Sequence, residues 1–188
     1  MCSYNAGKDE VCEWIRQHVP KDATVLDVGP CDGKWRTLLP EYPNMDACEI
    51  YAPNADQVRH LYRNMYVCDI ADLIYAHYDL IIFGDVIEHM SIETAQAVLK
   101  HAEGHCNTMI VSVPYLLPQG PIYGNPWEKH IQDDLTRKIF DERYPGFSVI
   151  WETNNYAYFY KSNADSLRGD KELVQLGAAV DNVTTGTQ

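Results

Sequence analysis

The chain has 188 residues, of which 46% are hydrophobic, and its formal net charge at pH 7 is -12. This length predicts one domain with a single sizeable core. The negative charge, without any local cluster of Lys or Arg, argues against long contact with a nucleic-acid backbone. No segment reaches the ~20 apolar residues that span a bilayer, and the amino terminus lacks the apolar stretch of a signal peptide. We therefore expect a cytoplasmic protein with no nucleic-acid and no membrane partner.

The cysteines are scattered along the sequence and contain no CxxC pair: Cys2, Cys12, Cys31, Cys48, Cys68 and Cys106. This spacing indicates neither a zinc site nor a redox motif. We expect reduced thiols.

Helical and strand-like segments alternate from the start of the chain. Apolar residues at helical spacing predict a helix over 9–19, which ends before Pro20. The apolar, β-branched run 23–28 breaks at Gly29 and Pro30, which predicts a buried strand that enters a tight loop. A helix over 33–39 is expected to follow it.

The same alternation continues with predicted strands at 46–51, 65–68, 78–83 and 108–113, and predicted helices at 55–63 and 92–103. Two further runs, 147–152 and 156–161, are separated by three residues and predict an antiparallel hairpin. The pattern indicates an α/β fold with a doubly wound, mostly parallel sheet. We expect a domain over 1–161 and a C-terminal tail over 162–188, with one helical turn near 173–176. The irregular stretch 114–132 is long for a connection, which favours a functional loop.

The loop after the first predicted strand carries the first recognisable motif. The sequence Val-Leu-Asp-Val-Gly-Pro-Cys-Asp-Gly over 25–33 resembles motif I of class I S-adenosylmethionine (SAM)-dependent methyltransferases, in which an acidic residue precedes alternating glycines. Glycines let a backbone turn sharply near a ligand, and the following helix presents free N–H groups to it. Cys31 departs from the family pattern, which has its middle glycine at that position.

Acidic residues at the ends of later strands extend the resemblance. Glu49 lies where an acid reaches ribose hydroxyls, and Asp69 is similar to the family position that binds the adenine amino group. The segment 79–90 is similar to the family's "DLI…DVLEHL" sequence. The resemblance covers about residues 22–160 and implies a seven-stranded Rossmann-like sheet. It implies that SAM contacts Asp27, Gly29, Pro30, Cys31, Gly33, Glu49, Ile50, Asp69, Ile70 and Asp85.

The acceptor side is expected beyond the fourth and fifth strands. The sequence Asn-Pro-Trp-Glu-Lys-His over 125–130 looks like the NPxExH-type segment of a subset of small bacterial methyltransferases. The resemblance places His89, His130 and Glu128 at the acceptor, with the histidines as candidate bases. His130 is equally explained as a residue that ties the long loop to the domain through a backbone hydrogen bond. Tyr115, Tyr123 and Trp127 are candidates for an aromatic wall, although packing of the loop onto the domain is the better explanation for any single one of them.

A metal is the alternative interpretation of residues 85–89. Asp85, Glu88 and His89 resemble the ExxEH metal motif of some methyltransferases, but Asp stands where that motif has Glu. Glu88 and His89 are equally explained as polar contacts near a helix that begins after an N-cap at Ser91. The sequence therefore predicts no metal.

These features predict a methyltransferase for a small-molecule or glycan-type acceptor. Two alternatives stay open: a SAM- or SAH-binding module (SAH, S-adenosylhomocysteine) without catalysis, and another nucleotide-binding Rossmann-like enzyme. An NAD-type protein is disfavoured because the GxGxxG spacing is absent.

Overall fold

The computed structural model describes residues 5–73, 76–122 and 124–163. Its helices are α1 (Lys8–His18), α2 (Lys34–Leu38), α3 (Ala52–Val58), α4 (Ile92–Glu103) and α5 (Arg137–Arg143). Its strands are β1 (Val25–Val28), β2 (Met45–Glu49), β3 (Met65–Val67), β4 (Tyr78–Gly84), β5 (Cys106–Pro114), β6 (Ser148–Glu152) and β7 (Tyr156–Ser162). Helices and strands alternate along the chain, as the hydrophobic pattern predicts.

The strands form one seven-stranded sheet in the order β3-β2-β1-β4-β5-β7-β6. The first five strands in this order are mutually parallel, whereas β7 runs antiparallel to both β5 and β6. The chain reverses its direction across the sheet between β1 and β4, and ligands of doubly wound sheets bind at such switch points, beyond the carboxyl ends of the strands. The predicted sheet and its terminal hairpin are confirmed.

Two apolar clusters pack on opposite faces of the sheet. Successive side chains of β4 belong to the two clusters in turn. Ile81 and Phe83 pack in one cluster, and Leu80 and Ile82 pack in the other. All four β1 residues are buried, which explains why this strand reads as a continuous apolar run interrupted only by Asp27. Burial on both faces makes the sheet a rigid base for the loops at its carboxyl edge.

The structure corrects two element predictions. The expected helix 55–63 is instead α3, which begins at Ala52, followed by a short 3₁₀ turn over Arg59–Leu61. Helix α5 was not predicted. Its N-cap is Thr136, whose hydroxyl accepts a hydrogen bond from the Ile139 amide at 3.2 Å, and Phe140 is its buried residue.

Some predictions fall partly or wholly outside the described residues. Tyr123, the tail beyond residue 163 and the helical turn near 173–176 lie outside them. Within the described ranges, no helix is both long and apolar enough to cross a membrane. Cys12, Cys48, Cys68 and Cys106 are free thiols, as expected, whereas Cys31 is disulfide-bonded, which corrects the expectation of reduced thiols for that residue.

Candidate functional site

A cavity of about 430 Å³ lies at the carboxyl edge of the sheet. Its walls come from the ends of β1, β2 and β5, from the start of β7, and from the segments that follow β1, β2, β3, β4 and β5. The sequence alone predicts this location, because the loops that follow parallel strands meet at one edge.

The loop after β1 forms one wall through Gly29 and Cys31. Gly29, Cys31 and Gly33 all adopt left-handed backbone conformations, with φ of 67°, 47° and 74°. Glycine enters this region without strain, whereas a side chain with a Cβ does so at a cost of about 1–2 kcal/mol. Cys31 therefore adopts a backbone conformation that glycine adopts without strain, and this accounts for the glycine that the family has at this position.

Three residues predicted to contact the cofactor do not line the cavity: Asp27, Pro30 and Gly33. Pro30 and Gly33 close the turn, since the Gly33 amide donates to the Pro30 carbonyl at 2.8 Å. Asp27 lies fully buried behind the loop. Its Oδ2 accepts a hydrogen bond from the Tyr62 hydroxyl at 2.6 Å, and its Oδ1 has no partner among the described residues. Burial raises the pKa of Asp27 to about 7.

Glu49 and Ile50 line the cavity at the end of β2. The Glu49 carboxylate is 5% exposed and accepts two backbone hydrogen bonds, from Tyr51 N to Oε1 at 2.9 Å and from Cys31 N to Oε2 at 3.3 Å. These bonds fix the orientation of the carboxylate and tie β2 to the loop after β1. Each oxygen keeps a second lone pair for a hydroxyl donor. Burial raises the pKa of Glu49 above its usual value, although the two amides oppose this effect.

Asp69 and Ile70 line the cavity just after β3. Asp69 Oδ1 accepts a hydrogen bond from the Ala71 amide at 2.9 Å, which shapes the turn after the strand. Ile70 is buried and joins the apolar cluster beneath the cavity. A carboxylate above an apolar floor suits the polar edge and the flat face of a purine.

Asp85 leaves β4 in a left-handed conformation, with φ of 58°. Its Oδ1 accepts hydrogen bonds from the Ser112 hydroxyl at 3.2 Å and, more closely, from the Tyr156 hydroxyl. The carboxylate therefore bridges β4 to β5 and β7. Tyr156 also lines the cavity. The sequence analysis did not select it, because its position beside the end of β5 depends on the antiparallel pairing of β7 with β5.

Glu88, His89 and His130 form a compact cluster in the wall of the cavity. One ligand atom from each of the three side chains lies within 4.8 Å of the other two. The imidazole rings of His89 and His130 meet edge to face, with centroids 4.8 Å apart. Burial lowers the pKa of His89 to about 4, so this ring is neutral at pH 7.

Glu88 is a further candidate functional residue. The sequence analysis explained it as a polar contact near the start of a helix. It is fully buried, lines the cavity and has no hydrogen-bond partner for either carboxylate oxygen among the described residues. Burial raises the pKa of this carboxyl well above its usual range. The predicted N-cap is confirmed separately, since Ser91 Oγ accepts a hydrogen bond from the Thr94 amide at 3.1 Å. Ser91, and not Glu88, caps α4.

The long loop after β5 brings His130 and Glu128 to the cavity. His130 also anchors this loop: its ring Nδ1 donates to the Leu117 carbonyl at 2.7 Å, and its amide donates to the Gln119 carbonyl at 3.0 Å. The carboxylate gathered with the two imidazoles is Glu88 rather than Glu128. Glu128 instead accepts a long hydrogen bond of 3.4 Å from the Asn125 side chain.

Of the two described candidates for the aromatic wall, Tyr115 and Trp127, only Trp127 lines the cavity. This residue lines the cavity and is 53% exposed. Tyr115 is buried, lies outside the lining and donates its hydroxyl to Glu152 at 2.8 Å. Packing therefore accounts for Tyr115, whereas Trp127 presents an apolar surface at the cavity mouth.

No protein-family model and no curated protein sequence matches the chain. Solved structures do match it. The magnesium protoporphyrin IX methyltransferase ChlM of Synechocystis PCC 6803, with bound SAH, is 19% identical, with a TM-score of 0.59 over 83% of this chain and 81% of that chain. An S-adenosylmethionine-dependent methyltransferase of Clostridium acetobutylicum ATCC 824 is 10% identical, with a TM-score of 0.64 over 84% and 91%.

A third solved structure with the same architecture contains a bound acceptor. The 1,6-didemethyltoxoflavin-N1-methyltransferase of Burkholderia thailandensis, with 1,6-didemethyltoxoflavin and SAH, is 17% identical, with a TM-score of 0.59 over 84% of this chain and 79% of that chain. At these identities the similarity establishes architecture, not activity. The chain has the Rossmann-like, seven-stranded fold of SAM-dependent methyltransferases.

Proposed function

We propose that this protein is a SAM-dependent methyltransferase that acts on a small-molecule or glycan-type acceptor. The observation that carries the proposal is the cavity at the switch point of the sheet, where the left-handed loop, Glu49 and Asp69 meet along one wall. Three successive strand ends thus supply the groups that the sequence resemblance assigns to the cofactor. The fold is shared with solved methyltransferases that hold SAH.

The cofactor end of the cavity fits an adenosine. Glu49 offers lone pairs to ribose hydroxyls, and Asp69 offers a carboxylate to an exocyclic amine. Ile50 and Ile70 supply apolar surface beside them. Asp27 is buried, bonded to the Tyr62 hydroxyl and outside the cavity lining, so it supports the base of the loop rather than contacting the ligand.

The acceptor end is proposed at His89, His130, Glu128 and Trp127. A sulfonium is an intrinsically good leaving group for methyl transfer, so the protein mainly has to orient the acceptor. A base is required only for a protonated nucleophile. The rings of both histidines use Nδ1 to donate to backbone carbonyls, of Lys129 for His89 and of Leu117 for His130. This leaves each Nε2 as the acceptor of a proton or a hydrogen bond.

Binding and turnover test this proposal separately. Calorimetry with SAH is expected to give one site with micromolar or tighter affinity, and an absence of both heat and thermal shift contradicts it. Mass spectrometry of ligand that co-purifies with the protein tests for a different nucleotide. Formation of SAH from SAM with a panel of hydroxylated and amino acceptors then tests catalysis.

A SAM-binding module without catalysis is the second candidate, and Cys31 is the observation that favours it. Its side chain lines the cavity where the family has a glycine without one. Tight SAH binding together with no turnover on any acceptor supports this second candidate. The cytoplasmic location stays a prediction.

A further inference from the structure

The carboxylate of Glu88 is buried without a partner. The residue has no exposed surface, and among the described residues neither carboxylate oxygen has a hydrogen-bond partner. A buried polar group without a partner costs free energy, and it is retained when something outside the protein satisfies it. Because Glu88 lines the cavity, its partner can come from bound ligand.

The two imidazoles beside Glu88 have the hydrogen-bond partners that are common for metal-binding histidines. His89 Nδ1 lies 3.1 Å from the Lys129 carbonyl oxygen, and His130 Nδ1 lies 2.7 Å from the Leu117 carbonyl oxygen. A carbonyl only accepts, so each Nδ1 carries the proton and each Nε2 keeps its lone pair. Histidines that bind metals in proteins are commonly held in this way, with the other ring nitrogen donating to a carbonyl or carboxylate.

We propose that Glu88, His89 and His130 bind a divalent transition-metal ion, with Zn²⁺ as the representative, in the acceptor half of the cavity. One carboxylate and two imidazoles form a donor set typical of zinc and of non-haem iron. Bond lengths of ~2.0–2.2 Å place the ligand atoms of a tetrahedral site about 3.3 Å apart. The three ligand atoms lie within 4.8 Å of one another, so a movement of roughly 1.5 Å by side-chain rotation closes the site.

The neighbouring carboxylates are engaged elsewhere. Asp85 bridges Ser112 and Tyr156, which leaves it bound to the sheet. Glu128 accepts from Asn125 and is absent from the compact group. The proposed site thus takes one ligand from the loop after β5 and two from the segment after β4, and it is not a local motif of residues 85–89.

Three protein ligands leave coordination positions open for a ligand from the cavity. We infer that an oxygen or nitrogen of the acceptor occupies one of them, a step that rests on the proposed methyltransferase function. With the metal bound, both Nε2 lone pairs are occupied, so the histidines position the acceptor through the metal and do not act as its base. The site then selects acceptors that carry a metal-binding group, such as a pair of neighbouring oxygens. Metal binding itself does not depend on that step.

The test uses the full-length protein after treatment with a chelator. Calorimetric titration with Zn²⁺ alone is expected to show one ion per chain with micromolar or tighter affinity. Glu88→Gln keeps the size of the side chain, and His89→Asn changes a partly exposed ring. Each is expected to weaken Zn²⁺ binding by more than about tenfold, because the loss of outer-shell partners alone costs about 10- to 100-fold.

The control is the double variant His101→Asn/His105→Asn. These two histidines lie near the end of α4 with ring centroids 4.3 Å apart, so they test for adventitious binding by a surface pair. The control is expected to bind Zn²⁺ like the original protein. Loss of binding in the control but not in Glu88→Gln and His89→Asn overturns the proposal, as does an absence of Zn²⁺ binding.

SAH titration of the same proteins separates the two proposals. Glu88→Gln and His89→Asn are expected to keep SAH binding within about threefold, since the cofactor groups lie at other strand ends. Zn²⁺ binding without SAH binding defeats the proposed function and leaves the metal site standing. SAH binding without Zn²⁺ binding defeats the metal site and leaves the proposed function standing. An unchanged Tm in Glu88→Gln shows that its lost affinity is not a folding defect.

Discussion

Replacement of Glu49 by Gln tests the cofactor site most directly. The substitution keeps the shape of the side chain but removes its charge and turns one oxygen into a donor. An adenosine whose ribose hydroxyls donate to Glu49 loses charged hydrogen bonds, worth about 1.5–3 kcal/mol. That corresponds to a weakening of the SAH Kd by about 10- to 150-fold.

The fold is expected to tolerate the same change. The Gln oxygen still accepts from Tyr51 N, at 2.9 Å in the structure, and the weaker 3.3 Å bond from Cys31 N is lost. A lost hydrogen bond costs about 1 kcal/mol. Removal of a buried charge, whose pKa burial has raised, offsets part of this cost. For a chain of this size 1 kcal/mol corresponds to about 2–4 °C in Tm, so a larger fall points to misfolding.

Calorimetry with SAH measures the affinity, and thermal unfolding without ligand measures Tm. Glu10→Gln serves as the matched control, because Glu10 is exposed on α1, away from the cavity. It is expected to leave both quantities unchanged. An SAH Kd for Glu49→Gln within twofold of the original refutes the placement of the ribose at the end of β2.

Three further predictions test other parts of the structure. Because the pKa of Asp27 is about 7 in the folded chain and about 3.9 in an unfolded one, the folded state holds its proton longer. Stability therefore falls as pH rises from 4 to 7, by on the order of 3–4 kcal/mol. Asp27→Asn is expected to lack this pH dependence when its stability is measured by denaturant unfolding at several pH values. The same pH dependence of stability in both proteins contradicts the prediction. Gly33→Ala is expected to lose about 1–2 kcal/mol of stability, because Gly33 has φ of 74° and an added Cβ lies 2.6 Å from Leu61; equal stability of the two proteins argues against the left-handed turn. Finally, the -12 charge predicts no strong binding to nucleic acid, and salt-dependent, submicromolar binding to a generic duplex in a filter or anisotropy assay contradicts this.

The sheet was predictable because buried parallel strands leave a strong signal. The runs of β1, β4 and β5 are mostly apolar and buried. Helix α4, between β4 and β5, buries residues at helical spacing: Ala95, Val98, Leu99 and Ala102. The end of β2 was predicted two residues too late. There the Glu49 side chain accepts from Tyr51 N, and this local bond turns the chain into α3.

Helix α5 was missed because seven residues with one buried side chain give no measurable helical period. Its N-cap, Thr136, was the available signal, since a Thr before a short amphipathic run favours a helix start. Its stability comes from tertiary packing: Phe140 stacks on Phe159 of β7 with ring centroids 3.8 Å apart. A strand and a helix nearly twenty residues apart thus determine each other, which no local pattern reveals.

The three-residue cluster lay beyond sequence reasoning for a related reason. Glu88 and His89 are adjacent, but His130 joins them only through the path of the loop after β5. Backbone bonds fix that path: the amides of Ile131 and Gln132 both donate to the Glu88 carbonyl, at 2.8 and 3.0 Å. The backbone of Glu88 is therefore bonded to the loop after β5, while its carboxylate has no partner among the described residues.

Departures from the rules of a stable fold concentrate around the cavity. Of the three non-glycine residues with positive φ in the described chain, Cys31 and Asp85 line it. Glu88, whose carboxylate lacks any described partner, lines it as well, and Asp27 lies behind its glycine loop with one unpaired oxygen. Each of these features costs stability. Backbone strain and unpaired polar groups around one cavity are expected where residues are retained for binding rather than for folding.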